Sequence, residues 1–117
     1  MVRVQFKSAY DYLKEQDFIH AQDINDVFRE LQERCRNPRS GSSKKVYFMA
    51  QYSSVVFVLS GTVKEDRTLT ELQTQCYWEG DAANKRTDFF SASPRGLLYA
   101  LNWIDRERSR LIEEHCG

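Results

Sequence analysis

The 117 residues fit a single domain spanning 1–117, and a chain of this size closes a core without disulfide or metal staples. Seventeen basic and seventeen acidic residues cancel to a formal net charge of +0, so no global field draws the chain towards nucleic acid, membrane or an acidic substrate. The three cysteines, Cys35, Cys76 and Cys116, are an odd number without framework spacing, which argues against a disulfide scaffold and for a cytoplasmic setting.

At the start of the chain, Val2, Val4 and Phe6 alternate with Arg3, Gln5 and Lys7. That period of two predicts a short first strand, and the segment lacks the apolar core of a signal peptide. Ser8 with Asp11 three residues on reads as a capping box opening a helix, with Ala9, Tyr12 and Leu13 on one face. Phe18 and Ile19 in the following connection are expected to tuck into the core. Asp23 then caps a second helix. Its stripe of Ile24, Val27, Phe28, Leu31 and Cys35 recurs at helical spacing, and Pro38 stops it by Asn37. The stretch NPRSGSS, 37–43, predicts a flexible basic loop.

The most apolar stretch is KVYFMAQYSSVVFVLS, 45–60. In its first half Val46, Phe48 and Ala50 share one face and Tyr47 and Met49 the other. Residues 52–54 read as a hairpin turn or a bulge. The unbroken run Val55–Leu59 puts apolar side chains on both sides of a sheet. It therefore predicts a central strand covered on both faces, by helices or by another chain. After a polar connection at 61–67, residues 68–78 alternate cleanly: Thr70, Leu72, Thr74, Cys76 and Trp78 against Glu71, Gln73, Gln75 and Tyr77. Phe89 and Phe90, set in an otherwise polar segment, suggest a short fourth strand. Ser93 as N-cap and Pro94 at the first helical position open a last helix running to about His115. Leu97, Ala100, Leu101, Trp103, Ile104 and Leu111 are expected to face inward. Beyond Ile104 the helix is charged nearly all round, so that half is predicted to protrude or to lie on a polar partner.

The expected order is β-α-α-β-β-β-α. This is an α+β fold, a three- to four-stranded mainly antiparallel sheet packed with two N-terminal helices and one long C-terminal helix. No phosphate loop, dinucleotide fingerprint, nucleophile elbow or HExxH pattern occurs. His20, His115 and the cysteines lack paired ligand spacing. We therefore expect no catalytic residue, no metal and no cofactor, and a non-enzymatic protein–protein interaction module: an adaptor, subunit or inhibitor that docks on a larger partner.

Aromatic, methionine and arginine side chains dominate contact surfaces of that kind. The expected contact residues are accordingly Tyr47, Met49, Tyr52, Tyr77, Trp78, Arg106 and Arg110. Self-association into a homodimer, through the second sheet face or an exposed edge strand, is a linked expectation. The alternative is nucleic-acid binding. Between Glu33 and Glu65 there is no acidic residue, and Arg36, Arg39, Lys44 and Lys45, joined by Lys85, Arg86 and Arg95, are the candidate phosphate contacts. An α-β-β-β-α order is also that of double-stranded-RNA-binding domains. Here the last helix opens with Ser93-Pro94-Arg95-Gly96, without lysines to contact phosphates.

Overall fold

Each of the three helices begins where a short polar side chain closes its first turn. The computed structural model describes residues 8–36, 45–52 and 54–116, with the backbone alone at 16–17, 36, 45–52 and 116. Helix α1 spans Ala9–Asp17, and the Ser8 hydroxyl accepts from the Asp11 N–H at 3.1 Å. Helix α2 spans Ile24–Arg36, with the Asp23 carboxylate accepting from the Asp26 N–H at 2.9 Å. Helix α3 spans Pro94–Cys116, and Ser93 Oγ accepts from the Gly96 N–H at 2.9 Å. All three satisfy N-terminal amides that have no partner inside the helix. The strand expected at Val2–Phe6 and the loop at 37–43 lie outside the described residues.

Four strands form one antiparallel sheet in sequential order: β1 (Lys45–Tyr52), β2 (Val55–Val63), β3 (Leu69–Trp78) and β4 (Arg86–Ser91). The pairing of the first two runs to Tyr52 opposite Val55. Between β2 and β3, Lys64 and Thr68 close a turn in which Arg67 takes a φ of 68°. That left-handed conformation is unusual for a residue with a side chain. Here the Arg67 side chain reaches across to α2, and its Nε donates to the Cys35 carbonyl at 2.7 Å.

The register slips by one residue where Thr62 pairs with Glu71 but Val63 with Leu69. Thr70 is the extra residue of that bulge. It is exposed, contrary to its expected place in the buried row, because the slip passes that place to Leu69. Below the bulge the alternation holds, and Leu72, Thr74 and Cys76 are buried. The fourth strand lies where the phenylalanine pair suggested it. Beyond it, α3 crosses so close that a Cβ on Gly96 would stand 1.9 Å from the Ser91 carbonyl oxygen, a separation only glycine tolerates.

One core cluster joins the buried stripes of all three helices to Val55, Phe57, Leu59, Leu72 and Cys76. Tyr12 of α1 meets Phe57 edge-on, with ring centroids 6.0 Å apart. Phe18 is buried in the same cluster, under the guanidinium of Arg34, 4.1 Å from its ring centroid. Ile19, expected beside it, is 71% exposed, since the chain turns outward after Phe18. The inward residues expected of α3 are all buried. No helix of the described residues is long and apolar enough to cross a membrane.

The strand β2 is buried on both faces, as expected, but the cover differs. The described helices all join the Val55–Phe57–Leu59 side, and none lies over Val56 and Val58. The expectation that helices or another chain would roof both faces is thus met by helices on one face only, among the described residues.

Candidate docking face

The residues opposite the helices come from alternate positions of successive strands. Val56 pairs with Tyr77, Val58 with Gln75 and Ser60 with Gln73. Gln73 continues to Phe89, and Gln75 to Thr87. Paired residues of an antiparallel sheet point to the same side, so these rows form one continuous surface. At its middle Val56 and Val58 are 8% and 6% exposed, flanked by the longer half-buried side chains of Gln73, Gln75 and Tyr77. At its β4 margin Phe89 is 56% exposed. Glu71 is the one charged side chain among those described on this face.

The expected contact residues do not form one surface. Tyr77 belongs to the helix-free face. Trp78, its neighbour in sequence, pairs with Val55 and packs against the core. There its ring stacks on the imidazole of His115 in α3, with centroids 4.3 Å apart and an interplanar angle of 9°. Strand alternation separates these two aromatics. Tyr47 and Met49 pair with Ser60 and Val58, the register positions of the helix-free face, whereas Tyr52 pairs with Val55, on the helix side. The side chains of these three lie outside the described residues. Arg106 is exposed on α3, and Arg110 of the same helix bonds to Glu107 Oε1 at 3.1 Å.

The charged half of α3 meets a polar partner within the chain, while Arg106, Arg110 and Glu113 remain exposed. Its counterpart is β4 of the same chain. Arg86 NH1 donates to Glu107 at 3.0 Å, and its NH2 donates to both oxygens of Glu114 at 2.6 and 2.8 Å. Glu107 and Arg108 are buried. Those bonds to Glu114, and after them the one to Glu107, raise the Arg86 pKa above its ordinary value.

Beneath this network burial pushes the Cys76 thiol up to about 12, with Glu107 adding to the effect and Arg86 and Arg108 opposing it. Cys76 therefore remains protonated at neutral pH, the opposite of a reactive thiolate. Nearer the middle of α3, Asp105 accepts from the Ala9 N–H at 2.8 Å and pairs with Arg108 at 3.4 Å. Burial raises its pKa, against the pull of the Ala9 N–H and Arg108. These groups tie α1, β4 and α3 together.

The candidate phosphate contacts are described only in part. Arg39 and Lys44 lie outside the described residues, and Arg36 and Lys45 are described in backbone only. Lys85 and Arg95 are exposed, while Arg86 is committed to two glutamates. Arg95 and Glu107 are twelve residues apart on one helix, about 18 Å at 1.5 Å per residue, so Arg95 stands far from the Arg86 network. A surface concavity of about 490 Å³ lies at the β2–β3 turn, lined by Val63, Lys64, Glu65 and Asp66. Among the described residues no three His, Cys, Asp or Glu side chains converge on a point where a metal ion could sit.

Of this face, sequence reasoning picked Tyr77 and, by register, Tyr47 and Met49, and missed Phe89, Gln73 and Gln75. Phe89, expected to need burial together with Phe90, is 56% exposed, because strand alternation turns it to the face opposite Phe90. The glutamines looked like an ordinary wetted face, and their significance lies in what surrounds them. No family model matches the chain, and neither a curated protein nor a solved structure matches it.

Proposed function

We propose that this chain is a protein–protein interaction module that docks through the helix-free face of its sheet. One observation carries the reading: a continuous surface with Tyr77 half-buried and Phe89 largely exposed, on which Glu71 is the one charged side chain among those described, in a chain that is 29% charged. Depletion of charge and enrichment of aromatic side chains distinguish the centre of an interface from ordinary surface. An adaptor, subunit or inhibitor acts by such a surface, and the unbridged thiols of Cys35 and Cys76 accord with a cytoplasmic setting.

Nucleic-acid binding has weaker support, because Arg86 is engaged within the chain and Arg95 stands apart from it. Of the arginines named as protein contacts, Arg106 and Arg110 lie on α3, behind the helical layer from this face. We assign them no part in it.

The test is site-specific photo-crosslinking in the native cell. A benzophenone side chain placed at Phe89 is compared with one at Tyr99, which is exposed on α3. The docking reading predicts discrete protein adducts from position 89 and none of those adducts from position 99. No adduct from position 89, or the same set from both positions, would overturn it.

A further inference from the structure

We infer that the occupant of the helix-free face is a second copy of this chain, packed sheet against sheet about a two-fold axis near Gln73 and Gln75. The inference rests on the docking reading above and names its partner. Two properties of the face lead to it.

The first is the kind of polarity present. Around a two-fold axis each surface meets itself, so a side chain near the axis lies opposite its own copy. A lysine or glutamate there would face a like charge. A carboxamide or hydroxyl, by contrast, both donates and accepts hydrogen bonds and can pair with an identical group. Gln73, Gln75, Thr62, Thr87 and Tyr77 are all of this self-complementary kind. The single described charge, Glu71, pairs with Ser91 at the end of the face, away from the middle rows. A surface shaped for a different protein could use complementary charges, and among the described side chains of this one only Glu71 is charged, with Lys45 at the register position beside Thr62 in the same end row.

The second is size. Four strands about 4.8 Å apart, each contributing six to eight residues at about 3.3 Å, give a plane of roughly 19 by 20–27 Å. Before the relief of the side chains is counted, that is about 380–510 Å², roughly half or a little more of the about 800 Å² per partner of a standard interface. Two such sheets stack about 10 Å apart with their strands crossing at about 30°. That geometry puts Val58 and Gln75 in the dry middle and Phe89 where it closes the margin.

The experiment is a charge swap read by light scattering. The wild-type chain is expected at twice its 13.8 kDa mass. Gln75→Glu and Gln75→Lys each place like charges across the axis, and each is expected to weaken self-association at least tenfold. Mixing the two variants should restore the dimer as a heterodimer, a result that a merely destabilised fold would not give. Circular dichroism checks that each variant is folded, and the same swap at Gln73 replaces any that is not.

A wild-type monomer at the highest soluble concentration would overturn the inference. So would a dimer indifferent to both substitutions, or variants that fail to rescue each other. A monomeric chain that still gives adducts to a different protein from position 89 would end the second-copy inference and leave the docking reading standing. No adduct of any kind from position 89 would end both.

Discussion

The two faces of β2 are both buried but differ in what lies over them among the described residues. On one, Val55, Phe57 and Leu59 lie under a layer of three helices and belong to the core cluster. On the other, Val56 and Val58 are nearly as inaccessible but stand outside that cluster, with Gln75 and Tyr77 beside them. Burial under a helical layer and burial outside it look alike residue by residue. They differ at the margin: on the helix side Phe90 packs against the core, whereas Phe89, one residue earlier, is largely exposed. A strand buried on both sides thus goes, among the described residues, with a helical layer on one side only.

Truncations in the two faces should expose this difference most strongly. Leu72→Ala removes a fully buried side chain beneath the helices and is expected to cost about 2–5 kcal/mol, since the cavity it leaves cannot collapse. Val58→Ala, measured in urea at a concentration where the chain is monomeric, should cost less than half of that. Equal losses would mean that both faces are core, and the distinction would fail.

A smaller effect concerns what clamps the helical layer. Arg86→Ala removes charge-assisted bonds to Glu107 and Glu114 and is expected to cost about 1–3 kcal/mol, because Glu107 is buried. Arg29→Ala breaks only an exposed pair with Asp26 and should cost about 0.5 kcal/mol or less. Thermal unfolding of both variants makes this comparison, and similar losses would show that the Arg86 network does not hold α3 on β4.

The smallest expected effect is a difference in acid titration. The carboxylate of Asp66, in the β2–β3 turn, accepts from the Thr68 N–H at 3.0 Å. That bond, with one from the Thr68 side chain, holds its pKa below the ordinary 3.8. Asp105, under the helices, is raised by burial. Their contributions to stability have opposite signs. The Asp66 contribution is present above the unfolded value and is lost as pH falls through its lowered folded pKa. For Asp105 the ionised form is the costly one, and the cost is relieved as pH falls through its raised folded pKa towards the unfolded value. Carboxyl NMR titration should therefore show Asp105 protonating before Asp66 as acid is added. The reverse order would contradict the burial assigned to Asp105.

Much of the fold was legible in the sequence because it is written in short-range signals. The Ser8, Asp23 and Ser93 caps, the helical stripe from Ile24 to Cys35 and the alternation from Leu72 to Trp78 each concern residues close along the chain. What resisted reading depends on contacts between distant segments. Thr70 was misplaced because a bulge shifts register without a glycine or proline to announce it. Ile19 was misplaced because a single exposed apolar residue beside a buried one leaves no periodic trace. The charged half of α3 looked unpartnered because Arg86, about twenty residues earlier, supplies its counter-charge. The candidate face was split for the same reason. Tyr77 and Trp78 are adjacent in sequence and opposed in space, whereas Gln73 and Phe89 are distant in sequence and paired.

The most direct measurement of the central claim is hydroxyl-radical footprinting of the purified chain over a range of concentrations. The account predicts that Tyr77 and Phe89 lose reactivity together as concentration rises, while Leu98 and Tyr99, exposed on α3, react equally throughout. Unchanged reactivity at Tyr77 and Phe89, or protection at Leu98 and Tyr99 instead, would contradict it.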